Sequence, residues 1–149
     1  MKIILASDHR GLNVQAIILE YLQTLPEHTV SLITDQLSED VEYPDIAAKV
    51  AQSVSSGAAD RGILICGTGI GTSIVANKFP GIRAAPCHNE VAAELSRKHN
   101  DSNILCLSGD LLGERSSVAV VAIWLATQFE GGRHAIRLEK IRQLETANR

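Results

Sequence analysis

The stretch Arg61–Cys66, RGILIC, runs straight into GTGIGTS, and this junction constrains the fold more than any other part of the chain. Six residues rich in aliphatic and β-branched side chains have the length and composition of a buried strand rather than a helix. Gly67, Gly69 and Gly71 follow at alternate positions, where missing side chains let a backbone turn sharply or come close to a neighbour. The segment from Thr72 to Lys78 reads as the next helix, closed by Pro80-Gly81. A buried strand, a glycine turn and a helix are the repeating unit of a helix-covered parallel sheet.

The same alternation runs through the whole chain. Lys2–Ser7 (KIILAS) is a short apolar run that ends at Asp8, His9 and Gly11. Val14, Ile18, Tyr21, Leu22 and Leu25 then recur at helical spacing, up to Pro26. Residues 29–34 (TVSLIT) alternate like a strand. Tyr43-Pro44-Asp45 opens a helix reaching about Ser55, with Pro44 suited to the first turn. Ile82 to Ala85 is a short strand, Asn89 to Lys98 a helix, Asn103 to Leu107 a fifth strand, and Glu114 to Gln128 a long helix. Beyond Gly131-Gly132 a last amphipathic helix carries Leu138, Ile141 and Leu144 on one side. It either packs on the domain or reaches a partner subunit. The expectation is one domain over residues 1–149: a Rossmann-like, doubly wound, five-stranded parallel sheet in a three-layer α/β/α arrangement with right-handed crossovers.

Composition narrows the function classes. Aromatic residues make up only 3% of the chain, so the core is aliphatic. The net charge is −3 with no basic tract, which argues against nucleic acid and anionic membranes as partners. The longest clean apolar run, Val118 to Ala126, is far short of the ~20 residues of a membrane span. The N-terminus turns polar at Ser7 and does not read as a secretory signal. Cys66, Cys87 and Cys106 form no metal-binding spacing and no C-x-x-C pair, as expected of reduced thiols in a cytoplasmic protein.

In doubly wound sheets ligands gather at the carboxyl ends of the strands, near the point where the strand order reverses. The first strand ends at Asp8-His9 and the third at Cys66-Gly67-Thr68-Gly69. If these strands are neighbours, one crevice holds a carboxylate, an imidazole, a thiol and exposed backbone N–H groups. Such a loop before a helix suits a phosphate or an oxyanion formed in a reaction. The plainer alternative is a tight turn with no ligand. A thiol at that edge can act as nucleophile, phosphate carrier or proton acceptor, whereas Cys87 and Cys106 read as small buried hydrophobes. His99-Asn100 lies in the polar stretch RKHNDSN, where a proton-transfer role and simple solvation are both open. Arg133 and Arg137 fall four apart after the double glycine, as in a phosphate clamp or a solvated helix end.

Six segments then occur in register: Asp8-His9-x-Gly11, YPD at 43–45, GILICGTGIG at 62–71, ANKFPGIRA at 76–84, HNDSN at 99–103 and GGRH at 131–134. Together they resemble the ribose-5-phosphate isomerase B family, which includes the galactose-6-phosphate isomerase subunits. The resemblance runs nearly end to end. It implies a Rossmann-like homodimer or homotetramer that interconverts an aldose phosphate and a ketose phosphate with no metal or organic cofactor. Carried over position by position, Cys66 would be the base moving a proton between C2 and C1 through an enediolate, assisted by Thr68. The amides of Gly67, Gly69, Ile70 and Gly71 would stabilise the enediolate. His99 would help open the sugar ring, with Asn100 beside it, both from the other subunit. Asp8 would bind sugar hydroxyls, and His9, Arg133 and Arg137 the phosphate. The substrate implied is ribose 5-phosphate or a related sugar phosphate such as allose 6-phosphate.

Two departures stand out. Many family members carry an arginine after the fifth strand where this chain has Asp110, and Pro86-Cys87-His88-Asn89 also differs from the usual pattern. Two other readings compete. Cys66 to Ser73 satisfies the loop pattern of phosphocysteine carrier domains of the IIB type, although there the loop follows the first strand. A non-catalytic sugar-phosphate-binding subunit is the other.

Overall fold

The computed structural model describes residues 1–33 and 42–147. Five strands, β1 (Lys2–Ser7), β2 (Thr29–Leu32), β3 (Arg61–Cys66), β4 (Ala84–Pro86) and β5 (Ile104–Ser108), form one sheet in the order β2-β1-β3-β5-β4. Every pairing is parallel, with Ser7 opposite Ile65 and Cys66 opposite Ser108. The helices are α1 (Leu12–Gln23), α2 (Tyr43–Ser55), α3 (Ile70–Ala76), α4 (Glu90–Asn100), α5 (Glu114–Ala126) and α6 (Arg133–Ala147).

Alternation along the central strands builds two aliphatic cores. Ile3, Leu5, Ile63, Ile65, Leu105 and Leu107 meet Val14, Ile18 and Leu22 of α1 and Val120, Val121 and Trp124 of α5. Ile4, Ala6, Leu64, Ile104 and Cys106 meet Ile46, Ala47, Val50 and Ala51 of α2 on the other face. Trp124 is fully buried and donates to Ser102 Oγ at 2.8 Å, with Arg61 and Arg97 against its ring. Burial and the neighbouring Arg97 pull the Arg61 guanidinium down to about 10. The doubly wound three-layer arrangement is as the pattern predicts.

Several boundaries differ: β4 is Ala84–Pro86 rather than Ile82 to Ala85, and α5 ends at Ala126 rather than Gln128. Thr34, expected in β2, lies outside the described residues. The third helix starts at Ile70 rather than Thr72, because Gly69 takes φ +77° and finishes the turn in one residue. His99 and Asn100 are the last residues of α4 and not a loop. The helix continues until Asp101, at φ 45°, which ion-pairs with Arg97 at 2.7 Å and Arg83 at 3.0 Å. In α6 His134 is buried, while Ile136, Ile141 and Leu144 are exposed.

Candidate active site

β1 and β3 are neighbours, so their carboxyl ends share one crevice, and the Asp8 N–H donates to the Ile65 carbonyl at 3.1 Å. A cavity of about 350 Å³ opens there, lined by Asp8, Arg10, Tyr43, Cys66, Gly67, Thr68, Ile70, Gly71 and Ile74. A larger one of about 590 Å³ lies under α6, against Ile82, Phe129, Leu138 and Ile141. Chemistry selects the smaller cavity, since it alone of the two holds a thiol beside a carboxylate and a turn of main-chain amides.

Cys66 closes β3, 4% exposed. Its Sγ accepts the Gly69 N–H at 3.1 Å and lies 3.5 Å from Thr72 Oγ1. Only a residue that tolerates the left-handed region can bring the Gly69 N–H round to the sulfur, and a Cβ there would also crowd the Leu107 backbone at 3.1 Å. The carbonyls of the loop are tied outward. Cys66 O accepts the Gly109 N–H at 2.8 Å, and Gly67 O accepts the Ser108 hydroxyl at 2.6 Å. In a trans peptide C=O and N–H point opposite ways, so the N–H groups of Gly67 and Thr68 point away from Gly109 and Ser108. Both residues line the cavity beside Cys66.

Asp8 is buried and its Oδ1 caps the turn that follows β1, accepting the Arg10 N–H at 2.9 Å. Arg10 is a cavity-lining residue that the sequence patterns did not single out. Its guanidinium lies on Gly67, where a Cβ would come within 2.8 Å of Cζ, and it ion-pairs with Asp110. The acid that replaces the expected arginine is thus neutralised, and a cation still borders the cavity. Tyr43 and Ile74 are further wall residues that pattern reading missed. YPD marks the start of α2 but not which way the tyrosine faces.

His9 is exposed and does not line this cavity. His99, Asn100, Arg133 and Arg137 do not line it either within one chain. They belong to a second group, where α4 ends and α6 begins. The His99 and His134 rings stack with centroids 4.2 Å apart and planes 8° from parallel. Burial first, then the charges of His99, Arg133 and Arg137, lower the His134 pKa. His99, Glu130 and His134 bring ligand atoms within 4.8 Å of one another. An imidazole binds a metal along a lone pair in its ring plane. Two parallel stacked rings therefore cannot both aim at one ion unless a ring turns.

A histidine depressed in the folded state adds stability above its ordinary value of 6.5 and loses it as pH falls through the folded value. The melting temperature is therefore expected to drop more for the unaltered protein than for His134→Gln as pH goes from about 7 to about 5. Thermal melts across that range check this. Cys87 and Cys106 are buried, with burial pushing both thiols up, as expected of structural cysteines.

A fold that puts a thiol and an amide cradle at the switch point of a doubly wound sheet defines a small-molecule α/β enzyme. The chain belongs to the ribose/galactose isomerase family, whose model matches residues 3–141. It is 43% identical over 146 residues to ribose-5-phosphate isomerase B of Escherichia coli, covering 97% of this chain and 96% of that one. Among solved structures it is similar to ribose-5-phosphate isomerase B of Clostridium thermocellum, at TM-score 0.94 and 45% identity over 100% of both chains. It is also similar to the Mycoplasma genitalium ribose-5-phosphate isomerase B with bound ribulose-5-phosphate. That match has TM-score 0.92 and 39% identity, covering 97% of this chain and 96% of that one. The likeness of Cys66 to Ser73 to a phosphocysteine loop is local, whereas the isomerase match spans almost the whole chain.

Proposed function

We propose that the protein interconverts ribose 5-phosphate and ribulose 5-phosphate through an enediolate, with Cys66 as the base. The observation that carries this is Cys66 lining the same cavity as the loop that follows it, with the Gly69 N–H on its sulfur at 3.1 Å. The Mycoplasma genitalium relative that holds ribulose-5-phosphate supports the choice of sugar.

Taking the proton from C2 puts negative charge on the carbonyl oxygen, and fixed N–H donors stabilise it without reorganising. Returning the proton to C1, while the hydroxyl proton on O2 passes to O1, completes the exchange, with no redox partner or metal required. In this reading Asp8 binds sugar hydroxyls and Thr68 supports the base. The amides of Gly67 and Gly71 are left for the oxyanion, since the Gly69 N–H is on Cys66 Sγ at 3.1 Å and the Ile70 N–H, at the start of α3, is on Thr68 Oγ1 at 3.3 Å. His9, Arg133 and Arg137 hold the phosphate, and His99 with Asn100 opens the ring.

The two groups are separate within one chain, so the reading requires a second copy that brings its His99, Asn100, Arg133 and Arg137 to the Cys66 cavity. The protein then works as a homodimer or a homotetramer, and α6 with its exposed Ile136, Ile141 and Leu144 is well suited to that contact. The place of action on this reading is the cytoplasm.

Arg137→Ala is expected to raise KM by roughly 10-fold or more with a smaller change in kcat, because a phosphate clamp binds ground and transition states alike. Steady-state kinetics with ribose 5-phosphate check the split. The function itself is tested with a panel of four-, five- and six-carbon aldose phosphates assayed for ketose formation. Fastest turnover of ribose 5-phosphate supports the reading. Binding without turnover of any member favours the sugar-phosphate-binding subunit, and stable thiol phosphate on Cys66 favours the carrier.

A further inference from the structure

The segment between β4 and α4 touches the glycine loop from outside. Its backbone is held on both sides: the Cys87 N–H donates to the Cys106 carbonyl at 3.1 Å, and Asn89 Oδ1 caps α4 by accepting the Ala92 N–H at 2.8 Å. Between them, His88 Nε2 lies 2.8 Å from the Thr68 carbonyl oxygen. A carbonyl only accepts, so the proton of this bond sits on Nε2.

The Thr68–Gly69 peptide is consequently gripped at both ends. Its oxygen accepts the His88 Nε2–H, and its N–H points the opposite way, onto Cys66 Sγ at 3.1 Å. A peptide followed by glycine flips easily, because glycine accepts φ of either sign. After a flip the carbonyl, not the N–H, would face the sulfur.

We infer that His88 is a positioning residue for Cys66, locking the Thr68–Gly69 peptide so that its N–H stays on the sulfur. The bond to the carbonyl also polarises the amide and makes its N–H a better donor. The inference rests on Cys66 being the base. The other groups around the sulfur are Asp8, Arg10 and Tyr43 in the cavity wall, the Thr72 hydroxyl, and Cys106 on β5. None of them holds the Thr68 carbonyl.

The test compares His88→Ala, His88→Phe and His88→Gln with the unaltered protein. One readout is kcat and KM with ribose 5-phosphate. The other is the rate at which iodoacetamide alkylates Cys66 at fixed pH without sugar, followed by peptide mass spectrometry. Alanine and phenylalanine are expected to lower kcat roughly 10–100-fold with KM within about 3-fold, less than the loss of an oxyanion donor itself can reach. Cys66 alkylation should slow by about 10-fold in the same variants, since the thiolate is the reacting form. Glutamine, which keeps an N–H donor, should recover much of both. Phenylalanine keeps the bulk of the ring, so it decides the matter if the alanine variant does not fold. Unchanged alkylation in the phenylalanine variant overturns the inference, and so does a fall in melting temperature with no change in alkylation. Because alkylation needs no sugar, failure of the isomerase reading would show instead as full turnover by Cys66→Ala.

Discussion

Cys66→Ala is expected to lower kcat for ribose 5-phosphate by about 10³-fold, within the range a positioned base contributes, while KM stays within a few-fold. The sulfur closes a strand that is buried along its length, and its polar contacts run to Gly69 and Thr72 rather than to the groups assigned to phosphate. Alanine fits the same space, so the sheet and the Arg133/Arg137 cluster should be untouched. Circular dichroism and equilibrium binding of the sugar phosphate would establish that the variant folds and binds. Cys66→Ser is expected to remain slow, because a hydroxyl can keep the Gly69 contact but is a far weaker base than a thiolate. Near-normal turnover by the alanine variant removes Cys66 from the reaction.

The second large effect is complementation. His99 lies at the end of α4, outside the cavity that Cys66 lines in its own chain. If the site is assembled from two copies, Cys66→Ala and His99→Ala are each nearly inactive as pure proteins. Co-refolded in equal amounts, about half the dimers are hybrids by random pairing. In a symmetric dimer each hybrid has one site with both defects and one with none. The mixture should therefore recover about a quarter of the unaltered activity. No recovery in a preparation shown to contain hybrids would place the whole site in one chain.

Much of this was legible in the sequence because it rests on local patterns. RGILIC declares a buried strand, Tyr43-Pro44-Asp45 a helix start, and the two strand ends at Asp8 and Cys66 needed only adjacency to become one crevice. What escaped was non-local. Nothing near Arg10 indicates that its guanidinium will lie on Gly67 and meet Asp110, a hundred residues away. Nothing near His88 tells of a bond to the Thr68 carbonyl from the far side of β5. The end of α4 was missed for a different reason. RKHNDSN offers no apolar period, and the helix ends only where Asp101 takes φ 45° and pairs with Arg97 and Arg83. His9 took its phosphate role from the resemblance, yet within one chain it does not line the cavity.

The central claim is proton transfer by Cys66, and isotope exchange tests it most directly. The protein is run with ribose 5-phosphate in D2O through many turnovers, and deuterium at C2 of the aldose and C1 of the ketose is followed by NMR. An enediolate whose proton visits a sulfur bordering an open cavity should lose part of that proton to solvent in each passage, so deuterium should build up at both carbons with the unaltered protein and at neither with Cys66→Ala. Complete conversion to ketose with no deuterium in either sugar would contradict it.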